Sequence, residues 1–290
     1  MTVQVPAAAA RPAGAARPAG AARPVRRFGA VHWLGLATLF RREFRAYLKD
    51  WPETVIAPTF SILLYVAVFA VASGEATGDA AGAPAWAGPG GLLPFLAPGL
   101  VVHVVILRAA EATVYSITFL KVERLVGDIL MPPLAAWEVA AGYALAGTAS
   151  GLVTGLPCLI ALLLTAGTGV ADPALLALVL LLGAFLLAAA GTLVGLWAEK
   201  WDQAAAFFGF LLIPMTFLSG VFAPVALLPE PLAAVVALNP VYYAIDAARI
   251  AFGGAGAEPV GRSLAVLAAS GAALWACAAL LIARGWRLKP

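Results

Sequence analysis

Six stretches of the chain, at about residues 54–73, 92–119, 139–164, 174–197, 204–221 and 264–283, are almost wholly apolar. About 20 such residues in a helix reach across a hydrocarbon core of roughly 30 Å. Charge agrees: 11% of the residues are charged and 63% hydrophobic, against about 25% charged in a soluble domain. So few charges cannot cover a water-facing globule, and so many apolar residues exclude disorder for the bulk of the chain. The expected fold is all-α integral membrane with six transmembrane helices. The fifth stretch runs into residues 222–238, apolar but broken by prolines. Irregular backbone at membrane depth survives only where protein buries it or water reaches it. This region is therefore expected to form a re-entrant outer helical hairpin between spans 5 and 6.

Two segments precede the first span. Residues 1–28 repeat Ala-Ala-Arg-Pro-Ala-Gly at a six-residue period, which puts Arg11, Arg17 and Arg23 in register. Pro and Gly block helix there, so a disordered basic tail is expected, with an Arg-rich transit peptide as the rival reading. Residues 29–290 then form the membrane domain. Over residues 30–50 a helical wheel gathers Trp33, Leu36, Phe40, Phe44, Tyr47 and Leu48 within about 120°. Arg41, Arg42, Arg45 and Lys49 fall on a separate arc. An apolar stripe beside a cationic one fits an interface helix on an anionic leaflet; it also fits an amphipathic helix packed on protein.

Lys and Arg favour the cytosolic side of short loops. With both termini inside, every basic residue of the 18 is cytosolic except Arg249 and Arg262, outside, and Arg108, within a span. The first outer loop, residues 74–91, has Glu75 and Asp79 and no base. An even number of spans and basic termini at both ends agree with each other. A multi-pass protein with both ends in the cytosol follows.

The chain has no Gly-x-x-x-x-Gly-Lys-Ser/Thr loop to cradle a nucleotide. Gly-x-Ser-x-Gly and His-Glu-x-x-His are also missing, and the two cysteines, Cys158 and Cys277, lie inside apolar runs. No enzymatic activity, bound cofactor, metal or nucleic-acid partner is expected, and the energy source must be an ion gradient or a separate subunit. In the second span Arg108 and Glu111 stand three residues apart and share a helix face. A lone mid-span charge costs on the order of 2.5–3.5 kcal/mol, so the pair faces protein or water, as a path lining or as a structural ion pair. The inner loop from Lys121 to Glu138, which includes Glu123, Arg124, Gly127 and Asp128 before Pro132-Pro133, mixes charged and apolar residues. It suits a short surface helix that offers charges to a partner. Past the fifth span, Asn239 can cap a helix whose first residue is Pro240. Asp246 and Arg249 then stand at i, i+3 on an outer helix, where an ion pair would be worth a few tenths of a kcal/mol.

These segments, in this order, resemble the membrane subunits of type-2 ATP-binding-cassette exporters, a class that includes permeases for O-antigen, capsular polysaccharide, nodulation oligosaccharide and drugs. The resemblance runs from about His32 to the C-terminus. It rests on Pro98-Gly99-Leu100, on Glu123-Arg124-x-x-Gly127 leading to Pro132-Pro133, on Gly142, on Leu218-Ser-Gly220-Val-Phe222, and on the Asn239-Pro240 helix ending near Arg249. It implies a permease homodimer joined to two cytosolic ATPases, which would hold the ATP and Mg, in a bacterial inner membrane. It also implies that Glu123, Arg124 and Gly127 lie on a coupling helix seated on the ATPase, and that the Trp33–Lys49 segment is the family's interface helix. The Ala/Arg/Pro tail has no counterpart in the class. A self-contained secondary carrier or channel is the alternative, against which no inverted repeat of broken helices is evident. Glycans, lipid-linked molecules and amphipathic drugs all remain as cargo. Trp86, Tyr242 and Tyr243 could stack on sugars or serve as interfacial anchors.

Overall fold

A computed structural model describes residues 31–74, 84–87, 91–127 and 133–287, and every regular element among them is helical. In chain order these are α1 (Trp33–Lys49), α2 (Pro52–Ala72), α3 (Leu92–Val122), α4 (Ala136–Thr165), α5 (Pro173–Trp197), α6 (Trp201–Val221), α7 (Glu230–Ala237), α8 (Pro240–Ala251) and α9 (Val260–Ala283). Six of them, α2 to α6 and α9, are long and apolar enough to cross a membrane. They overlie the six apolar stretches and extend several of them by a turn or less. The expected tail at residues 1–28, Glu75 and Asp79 of the first outer loop, and Asp128 and Pro132 of the inner loop lie outside the described residues.

α3 is the core of the bundle. In its most apolar window 72% of the residues are buried, against 17% for α2 and 22% for α9. Two rows of glycine make this possible. Gly147, Gly151 and Gly155 recur every fourth residue on α4, and Gly191 and Gly195 do so on α5. A Cβ at Gly147 would lie 2.8 Å from the Ala109 carbonyl oxygen, and one at Gly191 would lie 2.7 Å from that of Ala110. At Gly195 it would meet the Cβ of Ile117 at 2.8 Å. Lipid tails are as apolar as leucine, so helices in a bilayer associate through close packing of this kind. The backbones of α4 and α5 therefore close on α3 from two sides. By contrast, α2 turns Phe60, Leu64, Val68 and Val71 outward, a surface that needs hydrocarbon or another chain against it.

Local chemistry sets the helix ends. Asp172 accepts the Leu175 amide at 2.9 Å and Pro173 opens α5. Asn239 does the same for Val241 at 3.1 Å, with Pro240 opening α8. α6 is not a uniform helix: Phe207–Leu212 and Phe217–Val221 are wider π turns, and Gly220 has φ +96°. Gly99 of α3 lets this end approach, since a Cβ there would lie 3.0 Å from the Val221 Cα.

The hairpin differs from the expectation. Residues 222–238 hold one short turn, Val225–Leu227, and the single helix α7. The second arm is α8, bent by 87° from α7 at the capped Asn239. α8 is not an outlying surface helix: Val241, Tyr243 to Ala248 and Ala251 are buried, and it packs on α3, α5 and α9.

Candidate functional site

Lys121 of the inner loop and Arg287 past α9 meet at one end of the bundle, where α5 closes. From this end α1 packs along α4 as far as Thr154. Leu39, its one buried residue, sits on Gly142, where a Cβ would lie 3.0 Å from the leucine Cγ. Phe40, Phe44 and Tyr47 of the expected stripe are half-buried on the same side, and Tyr47 bonds the Thr154 hydroxyl at 2.6 Å. Burial pushes the Tyr47 phenol up from its ordinary value. Arg41 and Arg45 face outward with Lys49, whereas Trp33, expected on the apolar stripe, is 72% exposed. Glu43 turns inward, and Arg42, still exposed, bridges it to α4. Arg42 pairs with Glu43 at 2.6 Å and reaches the Tyr143 hydroxyl at 3.2 Å. Glu43 in turn accepts the Ser116 hydroxyl of α3. Glu43 was not singled out from the sequence; as the sole acid of α1, amid its arginines, it was the signal.

The inner loop divides into two kinds of charge. Lys121 is committed inward: its ammonium donates to the carbonyls of Leu196 at 2.6 Å, Ala198 at 2.7 Å and Gly195 at 3.4 Å. Glu138 is also committed and only 2% exposed, accepting the amides of Ala135 at 2.8 Å and His32 at 2.5 Å. Both had been expected to face a partner. Glu123, Arg124 and Gly127 are exposed, and a Cβ on Gly127 would meet nothing within 4 Å.

The backbone here is unusual. The amide of Leu125 bonds the Leu120 carbonyl at 2.7 Å and that of Arg124 bonds the Lys121 carbonyl at 3.2 Å, the pair of bonds that closes a Schellman cap. Its left-handed position is usually glycine, as at the end of α9, with Gly285 at φ +63°. α3 has Arg124 there instead, at φ +59°.

Deeper in the bundle, Arg108 and Glu111 form the expected pair at 2.7 Å, with side chains 26% and 20% exposed. At the other end, the expected Asp246–Arg249 ion pair is replaced by two separate bonding sets. Asp246 accepts the amides of Ala257 at 2.8 Å and Glu258 at 3.0 Å, which fixes the approach to α9. Arg249 instead donates to the Gly220 carbonyl of α6 and lies 4.0 Å over the Phe95 ring. The wide turn at Gly220 leaves that carbonyl free of its helix, and this attracts the guanidinium. Asn239 adds to its capping role by donating to the Ser219 hydroxyl at 2.6 Å. His103, absent from the expected site, contacts Thr216 at 3.1 Å. Trp86 packs edge-on against Phe95 and Tyr243 bonds the Ala237 carbonyl at 3.0 Å, so both are engaged within the fold. Among the described residues no three His, Cys, Asp or Glu side chains gather as a metal site would require.

The chain is a bundle of six candidate spans with two bent helices before the last and exposed charges after the second. The family described as ABC-2 type transporter matches residues 35–252, and the chain belongs to it as a membrane subunit. Among curated proteins it is similar to the inner membrane transport permease YadH of Escherichia coli (strain K12), 29% identical over 259 residues, which cover 89% of this chain and 98% of the relative. The proteins of the same name from Escherichia coli O157:H7 and Shigella flexneri match to the same extent.

Proposed function

We propose that this chain is the inner-membrane permease subunit of an ATP-binding-cassette exporter and that a separate cytosolic ATPase supplies its energy. The observation that carries the proposal is Arg124, an exposed arginine held in a glycine-type cap next to exposed Glu123. Backbone held in a disfavoured region points to a functional demand on that position. The demand proposed is contact with the ATPase, on a coupling segment formed by Glu123, Arg124, Gly127 and Asp128. The basic end of the bundle is then cytosolic. The outward row of Arg41, Arg45 and Lys49, with exposed Trp33, lies along the anionic leaflet as an interface helix. Two copies pair through apolar surface that a single chain leaves open, giving a two-plus-two assembly. ATP and Mg stay on the partner. The cargo class is a glycan, a lipid-linked molecule or an amphipathic drug, and the α7–α8 hairpin re-enters the membrane at its exit.

The test is co-purification of the tagged chain with its ATPase, followed by ATP hydrolysis in lipid nanodiscs. Replacing both Glu123 and Arg124 by Ala is expected to abolish assembly or its stimulated hydrolysis. Intact assembly with native hydrolysis overturns the loop assignment. Accumulation driven by an ion gradient in vesicles that lack any ATPase makes the chain a secondary carrier.

A further inference from the structure

The last turn of a helix leaves carbonyl groups without partners and concentrates partial negative charge on them. At the end of α5 all of these groups are taken by cations from elsewhere in the fold. Lys121, in the last turn of α3, accounts for Gly195, Leu196 and Ala198. Arg287, just past α9, donates to the Trp197 carbonyl at 2.6 Å and stands 3.6 Å from the Glu199 carboxylate. Three spans that are distant in sequence are thus fastened at a single point. That point lies two residues before Glu123 and three before Arg124.

We propose that Lys121 is a positioning residue that couples the exposed loop to α5. The inference rests on the reading of that loop as the ATPase contact. A push on Glu123 and Arg124 displaces the end of α3. The Lys121 ammonium carries the end of α5 with it, because moving apart would break its bonds to Leu196 and Ala198 at once. The glycine contacts of Gly191 and Gly195 with α3 hold the last two turns of α5 to it, and Arg287 passes the displacement to the exit of α9. The widened α6 leaves this point at Trp201, which packs with Phe208 on Tyr115 of α3. Its end is held by side chains at the opposite side of the bundle, Asn239 on Ser219 and Arg249 on Gly220. A loop displacement therefore moves the ends of α3 and α5 together.

Hydrogen exchange tests both parts. In the chain alone, in nanodiscs, Lys121→Met is expected to speed amide exchange at residues 195–198 on the order of tenfold or more, because charge-assisted bonds hold that turn closed. Lys121→Arg restores most of the protection, and Arg287→Gln gives a smaller loosening. Native protection in Lys121→Met overturns the anchor. In the complex with the ATPase, ATP is expected to change exchange at residues 123–127 and at 195–198 together. Lys121→Met keeps the first change and loses the second, with assembly intact, and Lys121→Arg regains it. Persistence of both changes in Lys121→Met overturns the transmission alone. Absence of any nucleotide effect at 123–127 in the native complex overturns the coupling reading beneath it.

Discussion

Glu138 holds the amide of Ala135, one turn before its own position, and that of His32, 106 residues earlier, with a single carboxylate. One bond caps α4; the other fixes the chain where α1 begins. The entry of α1 is thus tied to the same point at which the inner loop re-enters the bundle. Glu138→Ala removes the carboxylate that both amides bond and is expected to lower stability by about 1–3 kcal/mol. Glu138→Gln, with one acceptor oxygen left, falls between. Thermal unfolding in detergent measures both; equal midpoints for all three proteins contradict the double role.

The glycine rows make a second prediction. Gly147→Ala and Gly191→Ala each place a methyl group against backbone of α3 that cannot yield easily, at a cost of about 1–3 kcal/mol for overpacking. Gly261→Ala is the control, since a Cβ there meets nothing within 4 Å, and it is neutral or slightly stabilising because alanine favours helix. Purified yield and unfolding temperature are the readouts. Tolerance of Gly191→Ala equal to that of Gly261→Ala would show that α3 and α5 are not in backbone contact.

Asp246 and Arg249 serve different partners, so exchanging their charges does not preserve anything. The doubly substituted protein Asp246→Arg, Arg249→Asp is expected to be at least as unstable as the worse single variant. Each new side chain meets groups of the wrong kind: an arginine facing the Ala257 and Glu258 amides, an aspartate facing the Gly220 carbonyl. Rescue by the exchange, in an unfolding measurement, would restore the simple i, i+3 ion pair.

Arg108 and Glu111 are a true pair, and the opposite pattern holds. Removing one partner leaves the other charge within the bundle without compensation, while removing both does not. Arg108→Met and Glu111→Met singly are each expected to destabilise more than the two together. A double variant that is the least stable of the three contradicts this. A double variant that folds as well as the native chain but fails in transport assigns the pair to the path.

What the sequence could tell depended on how local each interaction is. Spans announce themselves through apolar length alone, and the cap at Asn239 follows from the residue types at Asn239 and Pro240. The glycine rows were present as a four-residue period, but a repeat does not name the helix it packs on. Lys121 and Glu138 looked like surface charges because their partners are backbone groups 74–77 and 106 residues away. No side-chain pattern records such a distant backbone partner. Asp246 and Arg249 misled for a similar reason: the i, i+3 spacing was real, but the wide turn at Gly220 and the unpaired amides before α9 offered better bonds. Arg124 was legible within the Glu123-Arg124-x-x-Gly127 pattern, but only the backbone dihedral shows it in a glycine position.

Arg124→Gly is the most direct test of the central claim, that this bundle takes its energy from an ATPase docked on the loop after its second span. Glycine removes a left-handed backbone penalty of about 1–2 kcal/mol, so the isolated chain is expected to unfold at the same or a higher temperature than the native one. If the arginine is kept for docking, the same variant loses co-purification with the ATPase and the hydrolysis that goes with it. An Arg124→Gly chain that is more stable and still assembles and supports hydrolysis at the native level contradicts the account.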